Sequence, residues 1–149
     1  MGHPSFITII LLLLLFVFPL GLIRGCFLYE KYQVQIIDDL PSDSPQLKLH
    51  CASKQDDFGI RFLSSTQNFT WSFCEDLLDR TLYFCHFWWD SNDRVFDVFN
   101  DPWSCIHGGH VNDYINTCVW VVRPEGFYLG KDHYRNGTLK MYKVYDWGS

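Results

Sequence analysis

The sequence predicts an all-β domain, a single disulfide-stapled antiparallel β-sandwich, and three observations carry that prediction. Short apolar runs recur roughly every dozen residues, separated by polar or Gly/Pro punctuation, which is the rhythm of strands joined by turns. Aromatic residues make up 18% of the chain, and aromatic side chains favour pleated, half-buried surfaces. Six cysteines stand behind an apolar leader, an even count that an exported chain spends on disulfides.

The leader comes first in the chain. Residues 6–23 are almost wholly apolar, and the first Lys, Arg, Asp or Glu is Arg24. Pro19 and Gly21 break the run, and Gly25 is a small residue at a cleavage position. This is the pattern of a secretory signal peptide. Residues 1–25 are therefore expected to be removed, leaving 26–149 as a secreted, extracellular domain with no stable membrane insertion. Cleavage removes one cation, Arg24, and no acid, which takes the net charge from −5 to −6. An acidic domain without a basic stripe is no candidate for nucleic-acid binding.

After the leader, strands are expected at 32–40, 47–53, 59–63, 68–75, 81–90, 94–100, 117–123, 126–131 and 139–147. Ser91, Asn92 and Asp93 form a short link and so a hairpin. Side chains on a strand alternate between faces, and that parity sorts the residues further. In NFTWSFC, Phe69, Trp71 and Phe73 share the core face, while Asn68, Thr70, Ser72 and Cys74 share the outer one. Cys51 lies on the face of Leu47 and Leu49, and Cys118 on that of Trp120 and Val122. Cys51 can thus staple the end of a buried strand, with Lys54, Gln55, Asp56 and Asp57 keeping the rim beyond it in water.

Six cysteines allow many connectivities, and sequence does not choose among them. The pairing carried forward is Cys51 with Cys118 and Cys85 with Cys105, which would close loops worth about 4 and about 3 kcal/mol on the chain-entropy model. Cys26 and Cys74 could then join each other, stay free or link chains. Asn68-Phe69-Thr70 and Asn136-Gly137-Thr138 are glycosylation sequons and mark Asn68 and Asn136 as surface sites.

Catalytic and metal chemistry finds little support. Cys105, His107, His110 and Cys118 resemble a zinc set in composition but not in spacing, and the thiols are better spent on cystines. His107 and His110 read as exposed residues of a glycine-rich loop. No metal and no cofactor is expected. Asp56 and Asp57 point apart on an extended chain, and no nucleophile elbow or phosphate loop is present. A sugar-binding module using Trp88, Trp89 or Trp103 is the alternative reading, and a secreted hydrolase using Asp and His is a further rival.

Several motifs in register point one way. His50-Cys51-Ala52-Ser53-Lys54 is followed by Gln55-Asp56-Asp57-Phe58-Gly59, then by Trp71-Ser72-Phe73. Thr81-Leu82-Tyr83-Phe84-Cys85-His86-Phe87-Trp88, Phe96-Asp97-Val98-Phe99, Cys118-Val119-Trp120-Val121-Val122 and Gly126-Phe127-Tyr128 complete the order. The chain resembles the plant self-incompatibility protein family, the small secreted S-protein homologues, over nearly the whole segment after the leader. It departs in having Gln55 for a usual Asp, Phe58 for a usual Leu, and two additional cysteines, Cys26 and Cys74. The resemblance implies a β-sandwich with two disulfides among Cys51, Cys85, Cys105 and Cys118, and no enzymatic activity. It also implies a recognition ligand read by a cell-surface receptor, in some members during rejection of self pollen. A rigid scaffold would then present polar loops, and those expected to meet the partner are Lys54 to Asp57, Ser91 to Asp93 and 101–114, with His107 and His110 in the last. A monomer is expected.

Overall fold

The computed structural model describes residues 5–17, 26, 31–75, 81–100, 105, 116–132 and 139–148. Helix α1 (Phe6–Val17) spans the apolar run that precedes Arg24. Among the described residues, no helix is long and apolar enough to cross a membrane. The described strands are β1 (Lys31–Asp38), β2 (Leu47–Ala52), β3 (Asp57–Leu63), β4 (Asn68–Cys74), β5 (Tyr83–Trp89), β6 (Asn92–Phe99), β7 (Thr117–Arg123), β8 (Gly126–Asp132) and β9 (Leu139–Tyr145). Each expected strand is present, with ends shifted by a few residues. The hairpin link differs: Trp89 pairs with Asn92, so Asp90 and Ser91 alone make the turn. Asp90 supports it with a left-handed φ of 53°, a conformation that Asp tolerates better than most residues.

Two sheets stack, one ordered β4-β1-β7-β8-β9 and the other β3-β2-β5-β6. Among the described strands the pairing is antiparallel except between β1 and β7, which run parallel. Parallel neighbours need a long connection, and here the entire second sheet lies between them in sequence. Strand parity works as read from the sequence. In β1, Tyr32, Val34, Ile36 and Asp38 are buried and the residues between them are not. Asp38 is the exception in chemistry: its carboxylate accepts the backbone N–H of Leu40 at 2.9 Å and so ends the strand.

The core is aromatic. Phe96 lies 4.9 Å from both Trp120 and Phe127, ring centre to ring centre, and 4.5 Å from Tyr145. Phe87 and Phe127, both fully buried, close the gap between the sheets. The indole of Trp120 donates to the carbonyl of Val98 at 3.0 Å, which satisfies a polar group that burial would otherwise penalise. Trp147 packs against Phe127 and Trp89, and Gly148 then donates its N–H to the carbonyl of Asp93. The chain thereby fastens its C-terminal segment onto β6.

The disulfides correct the expected pairing. Cys51 is joined to Cys85, Cys105 to Cys118 and Cys26 to Cys74, rather than Cys51 to Cys118 and Cys85 to Cys105. Parity identified the face but not the neighbouring strand. Cys51 and Cys85 stand directly opposite on β2 and β5, with Cα atoms 4.1 Å apart, so they meet without crossing the sandwich. Cys74 points outward as its parity required and takes Cys26 as its partner there.

Candidate functional site

β2 ends at Ala52, and four residues return the chain into β3. Their conformation is fixed by short local bonds. Ser53 donates its backbone N–H to the carbonyl of Asp56 at 2.7 Å, while its hydroxyl oxygen accepts the N–H groups of Gln55 and Asp56. Serine supplies this turn because its side chain can mimic a backbone acceptor. The Asp56 carboxylate then accepts a 2.5 Å hydrogen bond from the phenol of Tyr83 on β5. Burial, followed by the adjacent Asp56 carboxylate, raises the Tyr83 phenol above its usual range, so it stays a donor.

The next residue closes the base of the loop. Asp57 accepts the Gly59 N–H at 2.8 Å and the His50 ring N–H at 2.6 Å. These bonds, the Gly59 one first, hold its carboxyl below the ordinary value. Gly59 takes a φ of 65° at the register shift between β2 and β3, which glycine does without steric cost.

Behind the loop lies a cavity of 610 Å³, walled by residues 53–56, 72–74 and 81–84. Leu82 and Phe84 are partly exposed at its mouth, and Lys54 brings a cation. Its size is that of a ligand or side-chain pocket. The cystine between Cys26 and Cys74 stands at its rim.

The structure separates the sequence-predicted loops. Residues 54–57 sit where β5 begins, because Ala52 pairs with Phe84. Ser91 sits where β5 finishes, at the opposite end of the sandwich, and Asn92 and Asp93 belong to β6 itself. His107 and His110, with the rest of 101–104 and 106–115, lie outside the described residues, as do Trp103, Gly25 and Asn136. Phe99 and Thr117, which flank that third segment, are placed by their pairing with Tyr83 and Gln33 at the 53–56 end. Asn68 is exposed at the start of β4, far from Cys74, and the Thr70 hydroxyl donates to its side-chain oxygen at 3.1 Å.

The two described tryptophans of the sugar-binding alternative are already engaged. Trp88 stacks on His86 at 3.7 Å and carries Lys48 over its ring at 4.5 Å. Trp89 donates to Ser44 and packs on Trp147. Among the described residues, no group of three or more His, Cys, Asp or Glu side chains could hold a metal ion. Sequence reasoning missed Tyr83 as the anchor of the loop. Tyr83 faces the core, and its partner lies 27 residues away, so no local pattern announced the bond.

Residues 33–147 match the family model described as plant self-incompatibility protein S1. The chain belongs to the plant self-incompatibility protein S1 family. Within that family, S-protein homolog 18 of Arabidopsis thaliana is 35% identical over 127 residues, which span 85% of this chain and 86% of that one. S-protein homolog 2 of the same plant is 36% identical over 103 residues, spanning 69% of this chain and 62% of its own length. S-protein homolog 19 is 38% identical over 95 residues, 62% of this chain and 64% of that one. A solved structure of self-incompatibility protein homologues, described as small, highly stable, secreted proteins from plants, superposes with a TM-score of 0.55. The match covers 81% of this chain and 97% of that one at 14% identity, which places the fold. As a member of the plant self-incompatibility protein S1 family, the chain is not an enzyme.

Proposed function

We propose that this plant self-incompatibility family member is a secreted, monomeric recognition ligand. Its 53–57 end is read by a receptor protein on a cell surface, in self-pollen rejection or another exchange between cells. The observation that carries this reading is the bond from Tyr83 to Asp56. It ties a charged surface loop to the aromatic core, so the loop is held in one shape before any partner arrives. A pre-shaped loop loses less freedom on binding. The adjoining cavity offers a recess for a partner side chain. A glycan on Asn68, at the far end of β4, would leave that end clear. Secretion is supported by the apolar leader, the paired cysteines and the secreted character of the solved relatives.

The test is a pair of variants of the oxidised protein applied to plant cell-surface extracts. Lys54→Glu with Gln55→Ala alters the proposed end, and Ser91→Ala alters the opposite one. The reading expects capture of a membrane receptor to be lost with the first variant and retained with the second. Equal capture by both would sink it.

A further inference from the structure

The outer face of the four-stranded sheet carries apolar side chains where alternation calls for polar ones. In the β1–β4 pair of the five-stranded sheet, by contrast, the outward residues Gln33, Gln35, Thr70 and Ser72 are polar. On the four-stranded sheet, the outward row through the centre reads Ile60, His50, His86, Val95 from edge to edge. Ile60 is 55% exposed, Val95 52% and Phe62, one row away, 58%. An antiparallel sheet with one solvated face should carry polar residues there. Large side chains left bare together mark a surface that another molecule covers.

The charges say what kind of molecule. Asp57, Asp93 and Asp97 are all exposed and stand at corners of this face. Two of them are held in position by twin clasps: His50 to Asp57 at 2.6 Å and His86 to Asp93 at 2.9 Å, each seven residues apart in sequence. Because His50 and His86 stand opposite each other on antiparallel strands, the clasps are related by a local two-fold and point to opposite corners. Lys48 also lies on this face, and it is drawn over the Trp88 ring. Apolar side chains on the two edge strands, with carboxylates fixed at the corners, complement a segment that alternates apolar and basic side chains. A second copy of this chain would instead set carboxylates against carboxylates.

We propose that this face is a second docking surface, adjoining the 53–57 end at Asp57 and Phe84, for an extended, positively charged amphipathic segment of another protein. Its two imidazoles serve as positioning residues for the anionic corners.

The test titrates a short peptide of alternating leucine and lysine into isotope-labelled, oxidised protein, followed by amide chemical shifts. The expected result is saturable shifts centred on Ile60, Phe62, Phe84 and Val95, weaker by about tenfold in high salt, where screening is strong. Ile60→Ser with Val95→Ser should abolish them. Should that pair fail to fold, Asp93→Asn with Asp97→Asn should reduce affinity without touching the apolar residues. Lys54→Glu should leave peptide binding intact, which separates this surface from the receptor reading. Equal binding of a leucine–glutamate peptide, shifts confined to residues 53–56, self-association through Ile60 and Val95, or no saturable shift would each overturn the proposal.

Discussion

The Tyr83 phenol and the Asp56 carboxylate are joined by a 2.5 Å hydrogen bond that spans from a core strand to a surface loop. Tyr83 is 2% exposed, whereas Asp56 is an exposed loop residue. Removing the hydroxyl as Tyr83→Phe should therefore cost about 1–2 kcal/mol, the range for a hydrogen bond to a charged group discounted for exposure. Amide exchange should quicken in residues 53–56 and not in β6. In a spectrophotometric titration of the parent, one phenol should ionise above the ordinary tyrosine range, and that late step should vanish in the variant.

Asp57 supplies an acid-sensitive contribution. The bonds from Gly59 and His50 hold its folded-state carboxyl below the ordinary value. A group lowered in the folded state stabilises fully above its unfolded value of about 3.9, and that contribution fades as pH falls through the lower folded value. The melting temperature of the parent should drop below pH about 4, and Asp57→Asn should flatten that part of the profile. Coincident profiles would contradict the assignment.

Cys51 and Cys85 are fully buried, whereas Cys74 is exposed. Access to a reductant governs how fast a cystine opens. Mild dithiol treatment of the native protein should open the Cys26–Cys74 bond first, as mass spectrometry after alkylation would reveal. Replacing Cys51 and Cys85 by alanine should remove about 4 kcal/mol on the chain-entropy model, measurable by denaturant unfolding.

Gly126 opens β8 with a φ of 141°, and a Cβ there would clash with the carbonyl oxygen of Tyr145. Gly126→Ala should destabilise by more than about 1 kcal/mol, through displacement of the end of β9. An unchanged denaturation midpoint would show that the strands can part at no cost.

The strands were legible because alternation is a local property. YQVQI reads inward and outward without knowledge of its neighbours, and NFTWSFC placed Phe69, Trp71 and Phe73 inside and Cys74 outside correctly. What depends on which strand lies beside which was not legible. The Cys51–Cys85 bond and the parallel β1–β7 pair follow from sheet order, which alternation leaves open. The charged loop at 54–57 was readable from composition, but its anchor Tyr83 was not, because the bond joins distant segments. The twin clasps did leave a trace: histidine seven residues before aspartate, in the β2–β3 and β5–β6 hairpins alike. Two such spacings gain meaning only once the hairpins face each other.

The parallel seam between β1 and β7, together with the latch of Gly148 on Asp93, sets a schedule for maturation. β1 leaves the ribosome early, yet one of its two edges has no hydrogen-bonding partner until β7, with five strands between them in sequence, has been made. Oxidation need not wait in the same way: Cys26, Cys51, Cys74 and Cys85 emerge before β7 exists, and Cys105 and Cys118 follow. Cross-linking can thus run ahead of sheet assembly.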